Sequence, residues 1–288
     1  MNILVTTDGS ERSLCILPHA ARFAAALDAK LTLLRVLDPR TDAADVVAPS
    51  VKVAVATVRD NWEQEMRSVL VGHGVQADVL VAERKWGEAV AETIHRAADE
   101  LPAAMLAMES RGRGAIKHAI LGSVSLDVVA RADLPVMVLT DCPETSRDGS
   151  PLHLLVTYDG SADARSVFGG LAPLLIPGKV KVTLVEVAVM AAQETESEAD
   201  ARVRDPLEAL ASRLPDGVEC DVVIRVVPPA AGIDTARANV AKELGVDAIA
   251  SATHGHSARR HLVAGSVALG LVKLAEVPVI LVKSHAAD

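Results

Sequence analysis

Two glycine- and serine-bearing segments of this chain carry the residue types that bind phosphate. Gly112 is followed after nine residues by Gly122-Ser123, and Gly255 is followed after nine residues by Gly265-Ser266. Glycines let backbone N–H groups approach an anion with no Cβ in the way. A helix beginning at the serine would add unpaired N–H donors and a positive dipole end. The hydroxyl of Ser125 would supply a further donor in the first segment, so both segments predict an anion site.

An acidic turn accompanies each segment. Asp8-Gly9-Ser10 directly follows a short apolar run near the start of the chain, and Asp159-Gly160-Ser161 directly follows a similar run in the second half. Such a run before a turn is typical of a buried strand. Ser10 and Ser161 are residues that favour the N-cap position, so we expect a helix to begin directly after each turn.

The spacing of these motifs indicates that one module is present twice. Asp8 and Asp159 are 151 positions apart, whereas Gly112 and Gly255, and also Gly122 and Gly265, are 143 apart. A module that lost eight residues from the middle of its second copy explains both offsets. A repeat of about 140 residues has the size of a whole domain. We therefore predict two domains, residues 1–142 and 150–288.

The elements that position these motifs alternate between strands and helices. In each module, apolar runs that read as strands are separated by segments with helical periodicity, which predicts a parallel sheet with helices on both faces. Ligands of such sheets bind beyond the carboxyl ends of the strands, where the winding direction reverses. The acidic turn follows the first strand and the glycine segment follows the fourth. If those strands are neighbours, both motifs overhang one crevice.

Composition excludes several classes of function. The net charge is −9 and aromatic residues make up 2% of the chain, which argues against nucleic-acid binding. No stretch has the 18 or more uncharged apolar residues that would span a bilayer. The first residues lack the pattern of a secretory leader, so we expect a cytoplasmic protein. The chain contains no GxxxxGK[ST] loop, HExxH pair or GxSxG elbow.

These motifs together resemble the universal stress protein family, here as two tandem copies covering nearly the whole chain. The resemblance implies a flavodoxin- or Rossmann-like fold for each copy, with a five-stranded parallel sheet in the order 3-2-1-4-5. It also implies binding of ATP or AMP, possibly with Mg²⁺. The family pairs its modules through the fifth strand, which implies an internal pseudo-dimer and a possible homodimer. The positions that match the family's nucleotide site are Asp8, Val36, Gly112, Gly122, Ser123 and Ser125 in the first copy, and Asp159, Val187, Ala252, Gly255, Gly265 and Ser266 in the second.

The chain departs from the family pattern at one informative position. The family's first glycine, three residues before Gly112, is Glu109 here, and its counterpart in the second copy is Ala252. A carboxylate about 4 Å from a phosphate costs about 1 kcal/mol in water and about 4 kcal/mol at an effective dielectric constant of 20. Ala268 replaces the second serine hydroxyl in the second copy, a loss of about 1 kcal/mol. The comparison predicts that the second copy is the better nucleotide site.

Three functions remain open at the level of sequence. The leading hypothesis is a stress-response regulator that binds adenine nucleotide and acts through contacts with a protein partner. The second is a slow ATPase or an adenylyl-transfer enzyme, although neither copy places a nucleophile beside a base, so we assign no catalytic residues and no metal ligands. The third is a nucleotide-free dimeric scaffold.

Overall fold

The computed structural model describes residues 1–110, 121–140, 142, 151–253 and 265–283, and of residues 162–166 and 266 it describes the backbone alone. The chain forms two compact units, Met1–Arg131 and Ala132–Asp288. Gly112 and Gly255 lie outside the described residues. Among the helices of the described part, none combines the length and the apolar character needed to cross a membrane.

The first unit is a parallel α/β structure. Its strands follow one another in the sheet as β3-β2-β1-β4, and all three pairings are parallel. The six residues of β1 are all buried, as expected for a strand in the middle of a covered sheet. The elements in chain order are β1 (Asn2–Thr7), α1 (Leu17–Leu27), β2 (Lys30–Leu37), α2 (Val51–Gly72), β3 (Asp78–Glu83), α3 (Val90–Glu100), β4 (Ala103–Glu109) and α4 (Ser123–Arg131).

The second unit repeats this architecture and holds one further strand. Its neighbouring strands run β8-β7-β6-β9-β10, all parallel, and β5 pairs antiparallel with β10 through Val138 and Val279. The strand β5 closes the first sequence repeat, yet it packs in the second unit. The elements are β5 (Val136–Leu139), β6 (Leu152–Tyr158), α5 (Ala162–Leu171), β7 (Val180–Val189), α6 (Glu196–Ala211), β8 (Glu219–Val227), α7 (Ile233–Leu244), β9 (Ala248–Ala252), α8 (Ser266–Leu274) and β10 (Val279–Val282). The predicted α/β fold with a mostly parallel sheet is confirmed.

One predicted helix start is wrong. A 3₁₀ turn, Arg12–Leu14, follows the first acidic turn, and α1 begins only at Leu17, with Pro18 in its first turn. Proline is favoured there because the first turn needs no backbone donor. Ser10 Oγ accepts a hydrogen bond from the Ser13 N–H at 3.2 Å, so this serine binds the backbone of the 3₁₀ turn. The N-cap residue is Glu11 for the 3₁₀ turn and Ile16 for α1. In the second unit, α5 does begin directly after Ser161.

Candidate functional site

In each unit the acidic turn and the base of the glycine segment lie at the carboxyl ends of two neighbouring strands. β1 and β4 are parallel neighbours, with Val5 opposite Ala107, and β6 and β9 are parallel neighbours, with Val156 opposite Ala250. The acidic turn and the base of the glycine segment therefore follow adjacent strand ends in both units. This is the strand arrangement that a shared crevice requires.

The acidic turn of the first unit is held rigidly by its own side chains. Asp8 Oδ1 accepts hydrogen bonds from the Ser10 N–H at 3.0 Å and from Ser10 Oγ at 2.6 Å. Between them, Gly9 has a φ of 82°, a backbone conformation that residues with a Cβ rarely adopt. The Gly9 N–H donates to Thr7 Oγ1 at 2.9 Å. The carboxylate is thus fixed at the carboxyl end of β1.

The second unit builds the same turn. Asp159 Oδ1 accepts from the Ser161 N–H at 3.1 Å and from Ser161 Oγ at 2.5 Å. Gly160 has a φ of 79°, matching the first copy. Duplication has therefore preserved the geometry of this turn, including the oxygen atom that receives both hydrogen bonds.

The two glycine segments are closed at their bases in the same way. The Gly122 N–H donates to the Ser110 carbonyl at 2.6 Å, and the Gly265 N–H donates to the Thr253 carbonyl at 2.5 Å. The helices α4 and α8 begin at the next residue, Ser123 or Ser266. Each helix thus presents its N-terminus, with its unpaired N–H groups, at the sheet edge that carries the acidic turn.

The remaining predicted residues occupy different environments. Ser123 is exposed at the start of α4, whereas Ser125 is buried and its hydroxyl donates to the Glu109 carbonyl at 3.2 Å, which fastens α4 to β4. Val36 and Val187 lie near the carboxyl ends of β2 and β7. Ala252 is buried as the last residue of β9.

An ion pair joins the first acidic-turn region to β4. Arg12 Nε lies 3.0 Å from Glu109 Oε1, and the Glu109 side chain is only 2% exposed. Arg12 belongs to the 3₁₀ turn and Glu109 is the last residue of β4, so the pair spans the two elements that carry the motifs. The repeat offsets place Asp163 and Ala252 at these positions in the second unit. Alanine has no charge, so the second unit cannot form this bridge.

Each crevice contains a buried charged residue that the sequence motifs did not predict. Arg35 in β2 is 6% exposed, pairs with Glu65 at 3.0 Å and stacks on Trp62 with 3.6 Å from its Cζ to the ring centroid. A Cβ at Gly9 would lie 2.5 Å from Arg35 Cζ, so the guanidinium lies against the acidic turn. The sequence does contain a signal for Arg35, because a charged residue inside an otherwise apolar strand needs a partner when it is buried.

The equivalent position of the second repeat carries the opposite charge. Glu186 stands 151 positions after Arg35, in β7, and is buried. The pKa of this carboxyl is raised to about 7, mainly by burial; Arg237 opposes the shift and Asp159 adds to it. Arg237 is 5% exposed and donates through Nη2 to the Tyr158 carbonyl at 2.6 Å.

The fold and the arrangement of these motifs define a doubly wound α/β protein with two acidic-turn crevices. The family model described as "Universal stress protein family" matches residues 1–140 and 152–283. The chain belongs to this family, and the resemblance noted in the sequence is confirmed.

Relatives and solved structures agree with this assignment. A universal stress protein of Mycobacterium tuberculosis H37Rv is 27% identical over 190 residues, which are 63% of this chain and 62% of the relative. A universal stress protein of Mycolicibacterium smegmatis is 31% identical over 162 residues, covering 55% of this chain and 54% of that protein. The matched region thus spans less than two thirds of these relatives' length. A universal stress protein structure from Archaeoglobus fulgidus is similar in fold, with a TM-score of 0.63, 19% identity and coverage of 99% of this chain and 98% of the other.

Proposed function

We propose that the second unit binds an adenine nucleotide, ATP or AMP, and that the protein is a cytoplasmic stress-response regulator whose contacts with a protein partner change on binding. The observation that supports this is the conjunction of the Asp159 turn and the N-terminus of α8 at adjacent strand ends. The helix terminus attracts negative charge and its N–H groups are donors for phosphate oxygens. Family membership points to the same class of ligand.

In this proposal different residues of the second unit contact different parts of the nucleotide. The backbone at Gly255 and Gly265 and the hydroxyl of Ser266 hold the phosphates, Asp159 contacts the nucleotide from the acidic turn, and Val187 offers its backbone to adenine. Within the described residues, no group of three or more His, Cys, Asp or Glu side chains could hold a metal ion. Any Mg²⁺ would then be held largely by the phosphates, as this ion commonly is.

The first crevice is proposed as the weaker site because of the Arg12–Glu109 ion pair. Arg12 offsets the charge of Glu109, so the repulsion felt by a phosphate is smaller than that of an unpaired carboxylate. The pair still joins the acidic-turn region to the end of β4, where a nucleotide would have to lie. Ala252 brings no carboxylate to this place in the second unit.

A matched pair of substitutions tests the proposal. Gly265→Glu places a carboxylate at the N-terminus of α8, and Gly122→Glu does the same at α4. Gly265 has a φ of −65°, so glutamate fits its backbone without strain. Repulsion of about 1–4 kcal/mol predicts a loss of ATP affinity between about fivefold and nearly thousandfold for Gly265→Glu. Isothermal titration calorimetry with ATP and AMP measures it.

The control is Gly122→Glu, which we expect to leave the measured affinity close to that of the wild type. Thermal melting without ligand establishes that both variants are folded. The assignment to the second unit is wrong if Gly122→Glu is the variant that loses affinity. Absence of heat with either nucleotide in the wild-type protein would instead favour the scaffold hypothesis.

A further inference from the structure

A second hollow in the second unit lies between the edge strand β8 and helix α7. Its volume is about 450 Å³, within the range of small-molecule pockets. None of its lining residues belongs to the nucleotide crevice. They are Arg225, Val227, Ala231, Gly232, Thr235, Ala236, Asn239 and Glu243.

The first unit fills the same place with an arginine of its own. At the repeat offset of 143, Asn239 corresponds to Arg96, and Ala231 corresponds to Glu88. Arg96 donates to the two Glu88 carboxylate oxygens at 3.0 and 3.1 Å, and to the Glu83 carbonyl at 2.9 Å. Its Nη1 also lies 3.5 Å from Glu100 Oε1. The Arg96 guanidinium is therefore surrounded by two carboxylates and a main-chain carbonyl that accept from it.

The turn before the helix is closed by equivalent hydrogen bonds in both units, although Gly87 has a φ of 79° and its counterpart Ala230 does not take a positive φ. The turn before the helix is closed by Glu88 N–H to the Lys85 carbonyl at 3.2 Å in the first unit, and by Ala231 N–H to the Pro228 carbonyl at 3.0 Å in the second. The helix then starts alike, since α3 spans Val90–Glu100 and α7 spans Ile233–Leu244. The helix therefore starts at equivalent positions in both repeats, and the second repeat lacks the Glu88 and Arg96 side chains there.

The donors around Glu88 in the first unit differ from their counterparts in the second unit. In the first unit the Glu88 carboxylate also receives the Lys85 N–H at 2.9 Å and the Thr93 hydroxyl at 3.0 Å. Their counterparts are Pro228 and Ala236, which can donate neither bond. The two donors that hold the Glu88 carboxylate in the first unit are thus absent from the second, where Arg225 is the one cationic residue among the described lining residues.

Of the acceptors around Arg96, the Glu88 carboxylate is lost, whereas the second carboxylate and the main-chain carbonyl have counterparts in the second unit. Glu243 stands at the position of Glu100, the carbonyl of Val226 stands at that of Glu83, and the Asn239 amide brings a further oxygen. Arg225 is ion-paired with Glu243, whose side chain is 57% exposed. A carboxylate has two oxygens and about four lone-pair sites, so Glu243 can receive a second guanidinium beside Arg225.

We propose that this hollow binds a guanidinium group, carried by an arginine-like ligand that takes the place of Arg96 of the first repeat. The charged end lies between Glu243 and the Asn239 amide oxygen. The aliphatic stem lies on Val227, Ala231 and Ala236, as arginine stems do on apolar surface. A lysine-like ligand fits less well, because an ammonium cannot span several acceptors in one plane.

The direct test uses ¹H–¹⁵N NMR titration of the whole chain with capped arginine (N-acetyl-L-arginine methylamide), agmatine and capped lysine. We expect saturable shifts at the Asn239 and Glu243 amides with both guanidino probes. Capped lysine should bind at least about tenfold more weakly, a difference of about 1.4 kcal/mol. Tighter binding of capped arginine assigns the site to an arginine of a polypeptide, and tighter binding of agmatine assigns it to a small guanidino compound. Equal binding of lysine and arginine, or no shift at these residues, overturns the proposal.

Rebuilding the first repeat's pair provides the matched variant. Ala231→Glu with Asn239→Arg fills the hollow with the chain's own ion pair, so the guanidino probes should no longer shift the surrounding amides. The reverse exchange, Glu88→Ala with Arg96→Asn, should open a second hollow and raise the number of bound guanidino probes per chain from one to two. If the reverse variant does not fold, the filling variant alone decides. Unchanged binding in the filled variant would refute the site.

Discussion

Single residues account for most of the divergence between the two crevices. Arg35 and Glu186 occupy the same strand position, and each is buried, yet their charges are opposite. Arg35 keeps its charge because Glu65 and the face of Trp62 compensate it. Glu186 faces Arg237, Asp159 and Arg202, a mixture that leaves burial as the dominant influence and holds its pKa near 7.

This buried carboxyl predicts a pH dependence of stability. The pKa of Glu186 is raised from 4.5 to about 7 in the folded protein, so the folded state holds this proton more firmly than the unfolded state does. The stabilisation is complete below about pH 4.5 and is lost as the pH rises through about 7, by about 3 kcal/mol in total. The check is urea unfolding of the wild type and of Glu186→Gln at several values between about pH 4.5 and 8. The wild type should lose stability relative to the variant as the pH rises, and a constant difference between them would contradict this.

The contact between helices α7 and α8 leaves no room for a side chain at one helix glycine. A Cβ at Gly270 in α8 would lie 2.0 Å from Asp234 Oδ2 and 3.0 Å from Asp234 Cβ in α7. Because the Asp234 Cβ cannot rotate away, the two helices would have to separate. Gly169 in α5 is also helical, but a Cβ there would meet nothing within 4 Å.

We therefore predict opposite effects of the same substitution. Alanine is normally preferred to glycine in a helix by about 0.5–1 kcal/mol, so Gly169→Ala should stabilise the protein by that amount. Gly270→Ala should instead destabilise it by about 1–3 kcal/mol through overpacking. The free energies of unfolding from denaturant titration provide the comparison. Equal stabilisation by both substitutions would show that α7 and α8 can separate without cost.

The sequence predicted the elements better than it predicted their contacts. The apolar runs and the repeat offsets sufficed for the strands and the parallel sheet, because buried strands are rich in apolar residues. They left the adjacency of the two motifs dependent on the strand order, which only the family resemblance implied. They did not locate the start of α1, since the Ser10 hydroxyl can accept from the backbone of a 3₁₀ turn as well as from that of an α-helix. They also did not reveal the partners of Arg12 or Arg35, because an ion pair between residues distant in the chain has no local signature.

At the scale of the whole chain, duplication has kept the backbone and redistributed the charges. The acidic turns and the bases of the glycine segments form equivalent hydrogen bonds in both repeats. Among the described residues, the Arg12–Glu109 and Arg96–Glu88 ion pairs exist only in the first repeat. In both cases the second repeat has alanine where the first has glutamate. The first repeat thus has its own ion pairs at two places where the second repeat has alanine in place of the glutamate.

This asymmetry predicts that the intact chain binds one adenine nucleotide and that a second site can be uncovered. Arg12→Ala with Glu109→Ala removes the bridge between the acidic-turn region and β4, and it removes one charge of each sign. Native mass spectrometry with ATP should then detect two nucleotides per chain instead of one. Arg12→Ala alone should still bind one, because the Glu109 carboxylate, then without its arginine, repels phosphate more strongly than the intact pair does. Adding Gly122→Glu to the double variant should restore a single bound nucleotide, and two nucleotides on the wild-type chain would mean that the ion pair does not obstruct the first crevice.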